Sequence, residues 1–239
     1  RGQIQIAADF ALNVFDEGEC LEVLGTHPSV EDVTRSELDH RLALAWRKFW
    51  SLKAVLLNAK VSRKRRLQRF DSAVGSSFLF GAHAWTPRAE ELRKTRTVQN
   101  RMLRRICGIS RHVEEEWVPW LQRATHTSRN LASAAGVRDW VQAHALRKWS
   151  WAGHAARRPV STWVWRVTFW RDSVWNAAAM DMGGSRILRP STRRWMKWED
   201  SLRRFAQYEG IGSWIAVCGD RARWTELTAN FIQWSVQAE

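Results

Sequence analysis

The sequence LDHRLALAWRKFWSLKAVL, residues 38–56, places apolar side chains at alternating steps of four and three. Such steps put the side chains on one face of a helix. The apolar residues are Leu38, Leu42, Ala45, Phe49, Leu52 and Leu56. The cations that fall between them are Arg41, Arg47, Lys48 and Lys53. The stretch therefore predicts a helix with an apolar face toward a core and a cationic face toward solvent.

Two further helical patterns follow, and both carry many cations. The second has Ser62 as its N-cap candidate and continues with Arg63-Lys64-Arg65-Arg66 and Arg69. The third is predicted to start at Thr86-Pro87, because proline suits the first helical position. Cations in its last turn and the glycine stop Gly108 mark its end.

Charge is segregated along the chain. Residues 41–111 hold eighteen Lys and Arg against three acids, a net charge of +15, whereas the first forty residues carry −7 and residues 112–239 carry +6. A basic block of this kind attracts polyanions, and nucleic acid is the usual one. A solvated helix face is the alternative for a single basic helix. Three neighbouring basic helices with few acids favour nucleic acid.

The 239 residues are predicted to form a mainly α fold in three parts. Residues 1–34 form a β segment and linker, with a short hairpin within residues 3–26 whose strands are residues 3–6 and 20–25. Residues 35–110 form the basic helical bundle. Residues 111–239 form a second helical unit rich in tryptophan, since fourteen of the seventeen Trp lie after residue 116.

The cysteines Cys20, Cys107 and Cys218 are isolated and make no metal-binding spacing. This scatter favours buried thiols in a reducing, intracellular compartment, nuclear or cytoplasmic. No signal-peptide pattern and no run of eighteen apolar residues occurs, so we expect no membrane partner. The first residue is Arg1 rather than Met, which suggests a segment of a longer chain.

Catalytic patterns are weak. The sequence has no phosphate-binding glycine loop, no Cys/His ligand set and no acid pair at a useful spacing. His154, in Trp151-Ala152-Gly153-His154, could cap a helix, bond a neighbouring indole or act as a general base. A hydrolase built on His154 would need an acid partner that the sequence does not identify, so the structural role is favoured.

Cations and tryptophans that could bind nucleic acid are the remaining functional candidates. Lys and Arg on helix faces contact phosphate and release counterions. Trp46, Trp50 and Trp85 lie among these cations and could stack on bases or sugars. Core packing is the alternative for Trp46 and Trp50, which lie at the edge of the apolar stripe.

Five segments follow one another in a recognisable order. They are EVLGT at 22–26, LALAWRKF at 42–49, LQRF at 67–70, FLFGAHAW at 78–85 and RMLRRICGI at 101–109. Their succession resembles a non-LTR retrotransposon reverse transcriptase. In that family a "YLG" turn closes the palm, and the thumb helices carry "LLYG…W" and "R.MLR.I.G" motifs.

The C-terminal part is similar to the same family. Its motifs are "W.GH", "GRP…RW.D" and "DR..W", and the matching segments are WAGH at 151–154, RP at 189–190 with KWED at 197–200, and DRARW at 220–224. The resemblance covers about residues 20–225. Val23, Leu188 and Lys197 depart from the family's tyrosine, glycine and arginine, which suggests a divergent or decayed copy.

The resemblance implies a thumb-like bundle that binds template–primer duplex, as RNA–DNA hybrid or duplex, without reading sequence. The family's metal-binding aspartates would lie before residue 1, in the palm and fingers of a parent chain. We therefore expect no polymerase activity and no cofactor for this segment alone, with Mg²⁺ only in a parent polymerase. A helical protein–protein scaffold is the alternative function. The predicted nucleic-acid contacts are Arg41, Lys48, Lys53, Arg63, Lys64, Arg65, Arg66, Arg69, Arg101, Arg104, Arg105, Trp46 and Trp85.

Overall fold

The structure, a computed structural model, describes residues 2–7, 10–14, 26, 33–168 and 198–237. Within these ranges the chain is mainly helical, which confirms that part of the predicted fold class. Two compact units are present, one formed by residues 1–144 and 236–239 and the other by residues 145–235. The helix after residue 110 packs on the helix before it, within the first unit. The predicted division of the chain at residues 34 and 110 stays a prediction.

The strands and helices follow each other in a simple order. Two antiparallel strands, β1 (Gly2–Ala7) and β2 (Phe10–Val14), pair with each other. The predicted second strand at 20–25 lies outside the described residues, so its pairing stays a prediction. The helices are α1 (Val33–Ser51), α2 (Lys53–Leu56), α3 (Arg63–Phe70), α4 (Ser76–Phe78), α5 (Ala89–Cys107), α6 (Trp117–Ala134), α7 (Trp140–Ala156), α8 (Trp163–Thr168), α9 (Asp200–Tyr208), α10 (Trp214–Val217) and α11 (Arg221–Gln237).

The apolar stripe of α1 faces the core of the first unit. Leu38, Leu42, Ala45 and Phe49 are all buried, as the spacing predicted. The helix ends at Ser51, and Leu56 reaches the same core from the short helix α2. The stripe is therefore continuous in space although the helix is not.

A π-helical turn, Asp71–Gly75, connects α3 to α4. It makes the 74–85 segment helical at its start, and a 3₁₀ turn at Ala82–Ala84 follows. The carboxylate of Asp71 accepts hydrogen bonds from the backbone N–H and the Nε of Arg138, at 3.1 and 3.0 Å. This ion pair ties the turn to the segment before α7.

The start of α5 differs from the prediction. The helix begins at Ala89, not at Thr86-Pro87, because the backbone N–H of Arg88 donates to the Glu91 carboxylate at 2.7 Å and closes the first turn there. Thr86 instead bonds the hydroxyl of Thr34. The predicted end is correct, since Gly108 has a φ of 60°, a left-handed conformation that favours glycine.

The core of the second unit is built on stacked tryptophans. The rings of Trp149 and Trp224 lie parallel at 3.6 Å between centroids, and the indole N–H of Trp149 donates to the backbone carbonyl of Trp224 at 3.1 Å. Gly153 lies against the indole of Trp224, because a Cβ atom at this position would clash with Nε1 of that ring. The WAGH segment therefore packs α7 closely on α11.

Lys148 is buried in the second unit, with its Nζ 5.6 Å from the centroid of the Trp198 ring. Burial lowers the pKa of Lys148 from 10.5 to about 7, and the charge of Asp200 opposes the change. Above pH 7 Lys148 is therefore protonated in the unfolded chain but has lost its proton in the folded one. The free energy of unfolding rises with pH as a result. Burial also raises the pKa of Cys218 from 9.0 to about 12. Above pH 9 this thiol ionises in the unfolded chain only, so its contribution makes the free energy of unfolding fall with pH.

We therefore expect the second unit to become more stable between pH 7 and pH 9, by up to about 1.4 kcal/mol per pH unit. Urea unfolding followed by tryptophan fluorescence measures this change. Lys148→Met fills similar space without a charge and should flatten the dependence. An equal pH dependence in both proteins would contradict the assignment to Lys148.

Candidate nucleic-acid interface

Helices α1 and α5 run parallel to each other. Three contacts join them, between Asp39 and Lys94, Trp46 and Arg101, and Trp50 and Arg105, and all keep the same sequence separation of 55. A constant separation means that both helices advance in the same direction. Their C-terminal halves, which carry the exposed residues Arg47, Lys48, Arg101 and Arg105, therefore lie at the same end of the first unit.

Two indoles of α1 and two guanidinium groups of α5 contact each other in these C-terminal halves. The Cζ atom of Arg101 lies 5.7 Å from the Trp46 ring centroid, and that of Arg105 lies 5.4 Å from the Trp50 ring centroid. The two indoles stack on each other at 6.2 Å with an interplanar angle of 21°. We call these four residues the cation–aromatic ladder. Its guanidinium groups are exposed, and Trp50 is 43% exposed.

The N-terminal end of α3 lies beside the C-terminal end of α5. Nη1 of Arg66 donates to the backbone carbonyl of Ile106 at 2.6 Å. Burial raises the pKa of Cys107, whereas a hydrogen bond with Ser128 and the charges of Arg63 and Arg66 lower it, as expected for cations close to this end. Three basic segments thus converge at one end of the unit.

Three of the four exposed cations of α3, those of its first turn, do not stabilise α3 itself. The four are Arg63, Lys64, Arg65 and Arg69. A helix N-terminus carries a partial positive charge, so cations in the first turn are unfavourable by about 0.3–1 kcal/mol each. That turn contains no acid, and the N-cap Ser62 makes no side-chain capping bond. Arg63, Lys64 and Arg65 therefore have no local stabilising role, whereas Arg69 lies in the last turn, where a cation favours the helix dipole.

Four residues of the predicted site have structural roles in the first unit. Arg41 is buried and forms an ion pair with Glu37 at 2.6 Å, so it is not on the solvent face. Trp85 is buried against Phe78 and is not an exposed stacking surface. Arg66 caps α5, as described above. Arg104 donates to the hydroxyl of Thr125 at 2.8 Å, and burial, followed by the charge of Arg101, lowers its pKa.

The remaining predicted residues keep an exposed or half-exposed position. Lys48, Lys53, Arg101 and Arg105 are exposed, and Trp46 is half-buried at the edge of the core. Trp50 was considered for stacking but is missing from the predicted set. The signal that identifies it is the spacing of four shared by Trp46–Trp50 and Arg101–Arg105, which matches one helical turn on each partner.

His154 has a structural environment. Its ring stacks on Trp151 at 5.4 Å, and its Nε2 accepts a hydrogen bond from Nε of Arg158 at 3.1 Å. Among the described residues it makes no hydrogen bond to a carboxylate, the group that orients a general base. This agrees with the structural interpretation of the WAGH segment.

In the described ranges, no group of three or more His, Cys, Asp or Glu side chains is arranged to hold a metal ion. No helix in those ranges is long and apolar enough to cross a membrane.

Comparison with known proteins gives one informative similarity. The chain is 29% identical over 206 residues to a transposon-derived protein of Caenorhabditis elegans, and the match covers 84% of this chain and 67% of that protein. The similarity supports a transposon origin at a coarse level and does not identify a reverse transcriptase. No protein-family profile matches the chain. No solved structure matches it either.

Proposed function

We propose that this chain binds duplex nucleic acid, RNA–DNA hybrid included, without reading its sequence, as the thumb-like part of a retrotransposon-derived reverse transcriptase. The convergence of the cationic ends of α1, α3 and α5 at one end of the first unit carries the proposal. A helix face that meets a duplex contacts mostly phosphates, which position the nucleic acid and carry no sequence information.

The distribution of acids supports the same surface. No Asp or Glu occurs between Asp39 and Asp71, or between Glu91 and Glu114. Asp39 pairs with Lys94 in the N-terminal half of α5, away from the ladder. The converging ends therefore present cations with little opposing charge, which is the arrangement that attracts a phosphate backbone.

The proposal assigns binding to this chain and places polymerisation in the palm of a parent protein. The order of the reverse transcriptase-like segments supports the thumb position, and the similarity to a transposon-derived protein is consistent with it. Mg²⁺ would belong to the aspartates of that palm.

Binding to a fluorescent RNA–DNA hybrid, measured by anisotropy at several salt concentrations, tests the proposal. Affinity should fall steeply as salt rises, because each phosphate contact releases counterions. The variant Arg101→Gln/Arg105→Gln should bind more weakly, and its log–log salt slope on duplex DNA should flatten by up to about 1.8, or about 0.9 for each lost contact.

The control variant Arg204→Gln/Arg221→Gln removes the same charge from exposed positions of the second unit. We expect its affinity and slope to stay close to those of the unchanged chain. Loss of binding in this control, with no effect of the ladder variant, would place the nucleic acid on the second unit and overturn the assignment.

A protein–protein scaffold has one observation in its favour. Trp117 and Val118, at the start of α6, are each 59% exposed. A partner held by these apolar side chains would resist added salt, since its binding would not depend on ion release. The salt titration therefore separates the two functions.

A further inference from the structure

The indole faces of the ladder are already occupied. Trp46 and Trp50 stack on each other, and each ring also carries a guanidinium group, that of Arg101 or of Arg105. The edge of Trp46 packs against Phe49 in addition. A base that stacked on either indole would have to displace an arginine or separate the two rings. The ladder is therefore poorly suited to hold bases.

The guanidinium groups of the ladder, in contrast, are well suited to bind phosphates. Each Cζ lies over an indole ring, at 5.7 and 5.4 Å from the ring centroids, and both arginines are exposed, so their N–H groups are accessible to a phosphate. A planar guanidinium with fixed N–H groups matches the oxygens of a phosphate. Arg101 and Arg105 are one helical turn apart, about 5.4 Å along the axis, so both lie on the same face of α5.

We propose that the ladder is a site for two neighbouring phosphates of one nucleic-acid strand, in which Arg101 and Arg105 bind the phosphates and Trp46 and Trp50 are positioning residues. The inference rests on the proposed function and refines it. It assigns the tryptophans to holding guanidinium groups, whereas base stacking was the role expected from the sequence.

The experiment combines Trp50→Leu with Arg105→Gln. Trp50 is the more exposed indole, so its replacement leaves the buried core in place. The probes are an RNA–DNA hybrid, a short DNA strand, and an abasic strand of the same length and charge. Removal of an exposed cation–aromatic contact is expected to change a binding constant about two- to fivefold.

We expect Trp50→Leu to weaken binding about two- to fivefold for all three probes, and to add no loss when Arg105→Gln is already present. Trp50→Phe keeps an aromatic face for the guanidinium and should restore most of the affinity. A loss on the base-bearing strand without a loss on the abasic strand would mean that the indole stacks on bases. Additive losses in the double variant would also overturn the positioning role.

Failure of the proposed function gives a different result. If Arg101→Gln/Arg105→Gln binds the hybrid as tightly as the unchanged chain does, the interface itself is wrong, whatever the tryptophan variants show. If that variant is weakened and Trp50→Leu is not, the interface stands and the positioning role falls.

Discussion

Replacing the exposed cations of α3 by glutamine is expected to weaken binding to duplex DNA about 50- to 500-fold at 0.1 M salt. These cations are Arg63, Lys64, Arg65 and Arg69. Counterion release alone contributes about eightfold per phosphate contact at this salt concentration. Two or three contacts are expected from the four residues, because consecutive helical residues point in different directions. Anisotropy titrations measure the change.

The same variant should fold about as stably as the unchanged chain. The three cations of the first turn oppose the helix dipole and Arg69 in the last turn favours it, so their combined removal should leave the melting temperature close to that of the unchanged chain or slightly higher. Arg66 must be kept, since it donates to the carbonyl of Ile106 and its loss would disturb α5. Unchanged affinity in a well-folded variant would exclude α3 from the interface.

Trp149→Ala is expected to destabilise the second unit by about 3–5 kcal/mol, the usual cost of removing a buried aromatic side chain. Trp149 is 1% exposed, stacks on Trp224 and Phe231, and donates its indole N–H to a backbone carbonyl. Its removal leaves both a cavity and a carbonyl without this donor. Denaturant unfolding, read from the midpoint and slope, measures the loss.

Trp163→Ala is the matched control, because Trp163 belongs to the same unit and is 77% exposed. A surface substitution of this kind should change stability by less than about 0.5 kcal/mol. If Trp149→Ala were as mild as this control, the stacked tryptophans would not form the core of the unit.

Local features of this protein were readable from the sequence. The spacing that buries Leu42, Ala45 and Phe49 is a property of one helix, and so is the glycine stop at Gly108. Asp139 immediately precedes α7, and its carboxylate accepts the backbone N–H groups of two residues in the first turn, as is typical of this residue type at a helix start. The segregation of charge is a count along the chain. Each of these depends on residues that are close in sequence.

The tertiary structure decided which cations and aromatics are available for binding. Arg41 became buried beside Glu37, and Trp85 entered the core, although both lie among exposed cations in the sequence. Arg66 donates a hydrogen bond to the backbone carbonyl of Ile106, forty positions away. The ladder joins residues separated by 55 positions, through the parallel packing of α1 on α5. A charge pattern specifies how many cations a helix carries, but the neighbouring helix determines which of them stay in water.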